Sequence, residues 1–261
     1  MNATIEAAEL LITARQNRHR LSGFPDRCRP QNIEAAYAIQ NALLEKLIAG
    51  QAVQPIGYKI GCTNERAQQL LGIDGPFYGR LLSNAAYFSP VRLAASDFFM
   101  LVIEPEFAFK LGGDLPPIGV PYNMDSIAGA IEAVLPAIEI VDSRFSEWTR
   151  VGVLSIVADN GSTGAWIQGS LHWDWKTLDL HNHEVTLQVN GETRSQGCGA
   201  AVMGHPLNAL VWLANTLCDQ GSWLRAGDLI STGVCCDVYL AASGDSMCAD
   251  FGKLGTVELS F

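Results

Sequence analysis

The sequence predicts an α+β fold, with a small helical N-terminal part followed by a β-rich body. Three observations carry that expectation. Apolar residues in the first fifty positions recur at helical spacing. Beyond Pro55 they fall in short runs and alternations bounded by Gly, Pro, Asn and Asp. Helices interrupt the later strands too rarely for a doubly wound sheet. The expected division is residues 1–54 for the helical part and 55–261 for the body, joined as one integrated unit.

The elements follow in order. Ala7, Leu10, Leu11 and Ala14 share one helical face, and Ile33, Ala36, Ile39, Ala42, Leu43 and Leu47 share a second. Residues 23–26 and 28–30 form a turn-rich connector between them. Residues 56–60 make a short strand closed by Gly61, and 64–71 a short helix stopped by Gly72. A longer strand is expected over 98–109, a helix over 124–134 with Asn123 as N-cap, and a strand over 136–141. Residues 184–189 alternate in type and end at Asn190-Gly191, a strong hairpin signal. Pro206 suits the first turn of a helix reaching Leu217, with His205 at its entry. Strands over 229–232, 247–251 and 256–261 complete the set, the last two joined by a turn over 252–255.

Composition narrows the function classes. Apolar residues make up 48% of the 261 positions and charged ones 17%, the balance of a folded chain with a sizeable core. A net charge of −10 without any Lys/Arg-rich stretch argues against nucleic acid and anionic membranes as partners. The N-terminus lacks the basic and then apolar pattern of a secretory signal, and no apolar run is long enough to span a bilayer. Seven scattered cysteines without a C-x-x-C pair read as free thiols in a reducing cytoplasm.

Glu104 and Glu106 stand two residues apart inside an apolar stretch. On a strand both carboxylates share a face, where they repel and resist desolvation unless a cation lies between them. Two readings are open: a bound divalent metal, or a solvent-facing edge strand marked by Pro105. Glu139 is a lone charge in a second apolar strand, and Lys59 lies between Gly57 and Gly61. A third carboxylate would complete an all-oxygen site of the kind Mg²⁺ or Mn²⁺ prefers. A desolvated lysine beside it is a candidate proton shuttle; the alternatives are a solvent-facing Glu139 and a surface Lys59. Three further motifs read as structural. Gly197-Cys198-Gly199 lacks the third glycine of a dinucleotide fingerprint, His181-Asn182-His183 lacks a third metal ligand, and Cys235-Cys236 has no neighbouring base.

Six segments together resemble one source: residues 57–63, 103–108, 136–144, 158–162, 204–208 and 224–228. The chain resembles the 2-keto-4-pentenoate hydratase and 4-oxalocrotonate decarboxylase family, within the fumarylacetoacetate hydrolase-like superfamily. The resemblance runs in order over nearly the whole length. It implies a mixed β-roll body, a divalent metal (Mg²⁺ or Mn²⁺), a homo-oligomer, and a small 2-oxo acid substrate from aromatic catabolism. It places the metal carboxylates on Glu104, Glu106 and Glu139, the active-site lysine on Lys59 and a small hydroxyl on Ser162. Substrate contacts fall on Tyr78, Arg144, Gly199, Gly233 and Val234.

The implied activity is that of a metal-dependent lyase, with hydration of a 2-hydroxypenta-2,4-dienoate-like acid favoured. Hydratases of the family usually carry Pro-Asp-Phe/Tyr-Gly where this chain has Pro76-Phe77-Tyr78-Gly79, so Phe77 supports a 4-oxalocrotonate-type decarboxylase as the alternative. Asp74 would need a shift in register to replace the missing acid. Two more readings stay open, an acylpyruvate C–C hydrolase and a non-catalytic partner subunit. The hydrolase wants a His–Glu base, for which His19 is the only N-terminal histidine. Val234-Cys235-Cys236, after Thr232-Gly233, is a second departure that bears on the shape of the pocket.

Overall fold

The computed structural model describes residues 2–49 and 53–261, and within them the β-rich body forms two mixed sheets. The helices are α1 (Ala3–Asn17), α2 (Ile33–Ala49), α3 (Glu65–Leu71), α4 (Met124–Ala128), α5 (Val153–Ala158) and α6 (Pro206–Asp219). The first seven strands are β1 (Pro55–Gly61), β2 (Phe77–Leu82), β3 (Ala86–Phe88), β4 (Val91–Arg92), β5 (Val102–Leu111), β6 (Ile131–Val141) and β7 (Thr163–Gln168). The rest are β8 (Glu184–Val189), β9 (Glu192–Cys198), β10 (Leu229–Val234), β11 (Tyr239–Leu240), β12 (Ser246–Asp250) and β13 (Thr256–Ser260).

The larger sheet runs β2-β1-β10-β5-β6-β7-β3, with β11 also paired to β5. Its β1–β10 and β3–β7 pairs are parallel and the others antiparallel. The smaller sheet runs β4-β13-β12-β8-β9. Strand alternation divides β5 between two environments. Ile103, Phe107 and Phe109 enter the main core with Val185, Leu187, Val257 and Leu259 of the smaller sheet. Ala108, on the opposite face, packs with Ala137, Leu81 and Trp166. Helix α6 closes the main core with Leu207, Leu210, Leu213, Ala214 and Leu217, a stripe at helical spacing.

Several expectations meet their local physics here. His205 is the N-cap of α6, its ring accepting the Leu207 N–H. Asn190 and Gly191 both take positive φ (54° and 82°), as a tight hairpin with a right-handed strand twist requires. The helix expected over 124–134 stops after α4, which Asn123 and Ser126 cap reciprocally. From Ile131 onward the chain is β6, pairing with β5 along Lys110↔Ala133 and Phe109↔Val134. The apolar spacing that resembles a helix is overridden by that ladder. The strand expected over 98–109 begins only at Val102, because Asp142 accepts the Phe99 and Met100 backbone N–H groups instead.

The edge-strand reading of Pro105 is overturned, since β5 lies inside the sheet between β10 and β6. Proline is tolerated there because its missing donor faces a break. The Pro105 carbonyl accepts from the Cys235 N–H beyond the end of β10, and β11 resumes pairing only at Ile103.

The N-terminal helices share a cluster with the body: Ala7, Leu11, Ile39 and Leu43 pack with Phe145 and Ala158. A buried ion pair ties them further. Arg15 of α1 contacts Asp159 at 2.7 Å, and Arg144 contacts the same carboxylate at 2.8 Å. Removing one member of such a pair leaves charge without compensation. Asp159→Asn is therefore expected to lower the unfolding free energy by about 3 kcal/mol in urea titrations. A change within measurement error would show that this pair does not secure the helical part.

Candidate functional site

Register alone brings four charged side chains to one face of the larger sheet. Glu104 and Glu106 alternate on β5, and Glu104 pairs directly with Glu139 of β6. Lys59 of β1 pairs with Ser231 of β10, which pairs with Ala108 on the same face of β5. The solvent-facing alternatives fall away. Glu106 and Glu139 are fully buried, Lys59 is 2% exposed, and Glu104 is half-buried. A carboxylate oxygen from each glutamate lies within 4.8 Å of the others.

Three of the four groups are held from behind. Lys59 Nζ contacts Glu139 Oε2 at 3.2 Å and donates to the Gly161 carbonyl at 3.3 Å. Glu139 Oε1 accepts from Thr163 Oγ1 at 3.0 Å. Glu106 Oε2 accepts from Ser231 Oγ and from the Gly233 N–H. Ser231 in turn accepts from Trp166 Nε1 at 2.9 Å, so an indole fixes the hydroxyl that fixes the carboxylate. The Gly233 donor is free for this task because the β10–β5 register shifts between Ser231 and Val234. Its φ of +97° permits that turn, and a side chain there would overlap Thr63 Oγ1.

The electrostatics define what the face lacks. Burial pushes Glu104 up to about 7, with the Lys59 charge opposing and Glu139 adding to the rise. Burial also lifts Glu106 well above the usual carboxylate range, helped by the Glu139 and Glu104 charges, and lifts Glu139. Burial works to lower Lys59, but the three carboxylates, Glu139 foremost, outweigh it and hold the ammonium above its ordinary value. Three carboxylates against one ammonium leave two uncompensated negative charges, the charge of one divalent cation. Glu106 Oε1 is buried without a hydrogen-bond partner among the described residues. A hard cation accepting these oxygens fits both observations.

This face opens into a cavity of about 480 Å³. Lys59, Glu104, Ser162, Gly233 and Val234 line it, so the structure brings these expected site residues together. Ser162 Oγ is buried and without a hydrogen-bond partner among the described residues, and so is Thr63 Oγ1, which the sequence did not single out. A threonine two residues past the end of the Lys59 strand was its only signal.

Three expected substrate contacts lie outside the lining. The Tyr78 hydroxyl donates to Gln220 and its ring stacks on Tyr37. Gly199 is packed against the Leu180 carbonyl, and Gly197 reaches the cavity in its place. Arg144 clamps the 159–163 turn through Asp159 and the Thr163 carbonyl, and borders a separate cavity of about 230 Å³. It supports Ser162 and Thr163 at one remove. His19 and Asp74 are both exposed and absent from the lining, as is every other histidine among the described residues.

A family model, the fumarylacetoacetate (FAA) hydrolase C-terminal model, matches residues 67–261. The chain belongs to the fumarylacetoacetate hydrolase family. Within that family it is 35% identical over 257 residues to a 2-keto-4-pentenoate hydratase of Paraburkholderia xenovorans (strain LB400), covering 98% of this chain and 94% of the relative. It is 34% identical over 253 residues to a 2-hydroxyhexa-2,4-dienoate hydratase of Comamonas testosteroni, covering 96% and 94%. Among solved structures it resembles 4-oxalocrotonate decarboxylase from Pseudomonas putida G7 complexed with magnesium and adipate. The TM-score is 0.91 at 27% identity, covering 99% of this chain and 97% of that one. The matched family segment contains all three glutamates but begins after Lys59.

Two outcomes test the electrostatics. Glu106→Gln is expected to weaken Mn²⁺ binding at least about tenfold, read by calorimetry, since outer partners alone are worth roughly 10–100-fold. The metal-free protein gives the second. Folding raises the pKa of Glu104 from its unfolded value near 4.5, so its contribution to stability is fully present only below that value and is lost as pH rises through about 7; Glu106 and Glu139 are raised in the same direction. The melting temperature without metal should therefore fall across that window, and added Mn²⁺ should raise it more at the alkaline end. A flat profile would refute the raised carboxylates.

Proposed function

We propose that this protein is a metal-dependent hydro-lyase acting on a small 2-hydroxy-2,4-dienoic acid and its 2-oxo tautomer. One observation carries the reading: the buried Glu106, Glu139 and Lys59 and the half-buried Glu104 meet at one end of a cavity whose remaining walls are largely apolar. The hydratase names of two relatives at 34–35% identity support it. Glu104, Glu106 and Glu139 would hold the metal, and Mg²⁺ or Mn²⁺ suits three carboxylates. When bound, it supplies Lewis-acid stabilisation of negative charge on the oxygens of a 2-oxo acid.

The chain's own groups handle the proton. Lys59 Nζ, kept as an ammonium by the carboxylates, gives its proton to the far carbon of the diene and recovers one from the enol hydroxyl. The resulting enone accepts water across its double bond, oxygen to the carbon β to the ketone and hydrogen to the α carbon. Ser162 Oγ and Thr63 Oγ1, both without partners, are placed to bind the acid or orient that water. The seven unpaired thiols fit a reducing cytoplasm. A homo-oligomeric assembly belongs to the same reading and rests on the resemblance of the chain.

A second reading has its own observation. Phe77 is buried, with its ring centroid 5.6 Å from Lys59 Nζ, where an acidic residue would otherwise serve the added water. That substitution favours a decarboxylase, which needs no such group. Products formed with Mg²⁺ or Mn²⁺ from 2-hydroxypenta-2,4-dienoate and from 4-oxalocrotonate decide between them. Hydration of the dienoate without CO₂ from the dicarboxylate is expected; CO₂ release without hydration would replace the first reading with the second. Lys59→Ala should keep metal binding by calorimetry while turnover falls at least about 100-fold. Undiminished turnover would remove Lys59 from proton transfer.

A further inference from the structure

The cavity is larger than a five- or six-carbon acid needs. At about 480 Å³ it lies within the roughly 300–1,000 Å³ range of pockets that bury drug-sized ligands. Beyond Lys59, Glu104 and the two hydroxyls of Ser162 and Thr63, Leu70, Leu71, Phe77, Trp148, Ile156 and Val238 give it a large apolar wall, with Asn64, Gln196 and Asp237 as the other uncharged or acidic polar side chains. Leu70 and Leu71 come from α3, Phe77 from the start of β2, Trp148 from the segment after β6, Ile156 from α5 and Val238 from the segment after β10. Phe77 stands beside Lys59, and the others continue the apolar wall away from it. Phe77 and Ile156 are buried, Trp148 and Leu71 half-buried, and Leu70 and Val238 exposed at the rim.

The charges point the same way. Lys59 and Arg66 are the only cationic side chains lining the cavity among the described residues. Lys59 is committed to Glu139 and the Gly161 carbonyl. Arg66 projects into solvent and pairs with the exposed Asp237 at the rim. A carboxylate at the far end of a substrate would therefore leave water for an apolar wall without a cation to meet it.

We infer that this site selects 2-oxo monocarboxylic acids with an apolar tail, alkyl or aryl, extending beyond the length of a pentenoate. The inference rests on the 2-oxo acid reading of the metal site and specifies what lies at the acid's other end. The six apolar residues determine specificity and take no part in the proton transfer.

The test uses the Mn²⁺-loaded protein and saturated 2-oxo acids, which have no double bond to hydrate, titrated by calorimetry. Pyruvate, 2-oxobutanoate, 2-oxohexanoate, 2-oxooctanoate and 2-oxo-4-phenylbutanoate form the apolar series, and 2-oxoadipate matches 2-oxohexanoate in length with a second carboxylate. Affinity is expected to rise roughly two- to fourfold per buried methylene, with 2-oxoadipate at least tenfold weaker than 2-oxohexanoate. Leu71→Asp, on a helix with no fully buried residue, should lower the ratio of 2-oxooctanoate to pyruvate affinity about tenfold. Pyruvate binding with a flat series, or a preference for 2-oxoadipate, overturns the tail inference alone. Failure of every acid to bind, pyruvate included, overturns the underlying 2-oxo acid reading and this inference with it.

Discussion

Three carboxylates forced onto one buried face of a sheet, with a single ammonium to answer them, set the terms for this structure. A glutamate on a core strand is tolerated only if its charge is answered or suppressed, and here both devices operate. Lys59 answers part of it, and burial raises the carboxylates so that protons compete with a cation for the rest. The supporting residues make sense in this light. Ser231, Thr163 and the Gly233 N–H direct hydrogen bonds to Glu106 and Glu139, and Trp166 fixes Ser231, so that these two carboxylates keep one orientation. Such a face is costly in isolation, and its cost is a reason to read it as a binding site and not as a stabilising element.

The sheet supplies this geometry through register. Pairing Glu104 with Glu139, and Ser231 with both Lys59 and Ala108, fixes side chains from four strands before any loop is considered. A one-residue slip of β6 would turn Glu139 into the main core and Ile140 toward the cavity. The large apolar residues on the other face of β5 and β6 oppose that slip, since Phe107, Ile138 and Ile140 pack with the smaller sheet. Core packing and site geometry are thus one constraint seen from two faces.

Much of this was legible in the sequence because it depends on period two. Glu104 and Glu106 declare a shared face, and the apolar neighbours of Glu139 and Lys59 mark them as strand residues. What resisted reading depends on contacts distant in the chain. Residues 131–134 carry apolar spacing that suits a helix, and only the partner strand β5 makes them a strand. Strands β2 and β7 hold glycines in their interiors and show little alternation, so their pairing partners define them. The resemblance placed the substrate contacts by motif, yet Tyr78, Arg144 and Gly199 face other neighbours, while Thr63 owes its place to the backbone crossing at Gly233.

Helix α3 shows how differently the two ends of the site are built. It buries none of its residues, yet Arg66, Ala67, Leu70 and Leu71 border the cavity. The carboxylate-bearing end is embedded in the interior of the larger sheet. The outer wall is carried by a short element, capped by Asn64 and Gly72, none of whose side chains is fully buried. Mutations can accumulate on α3 at small thermodynamic risk and retune which acid is admitted, while the charged inner end stays as it is. Substrate range in such a protein can drift on an evolutionary timescale that its chemistry does not share.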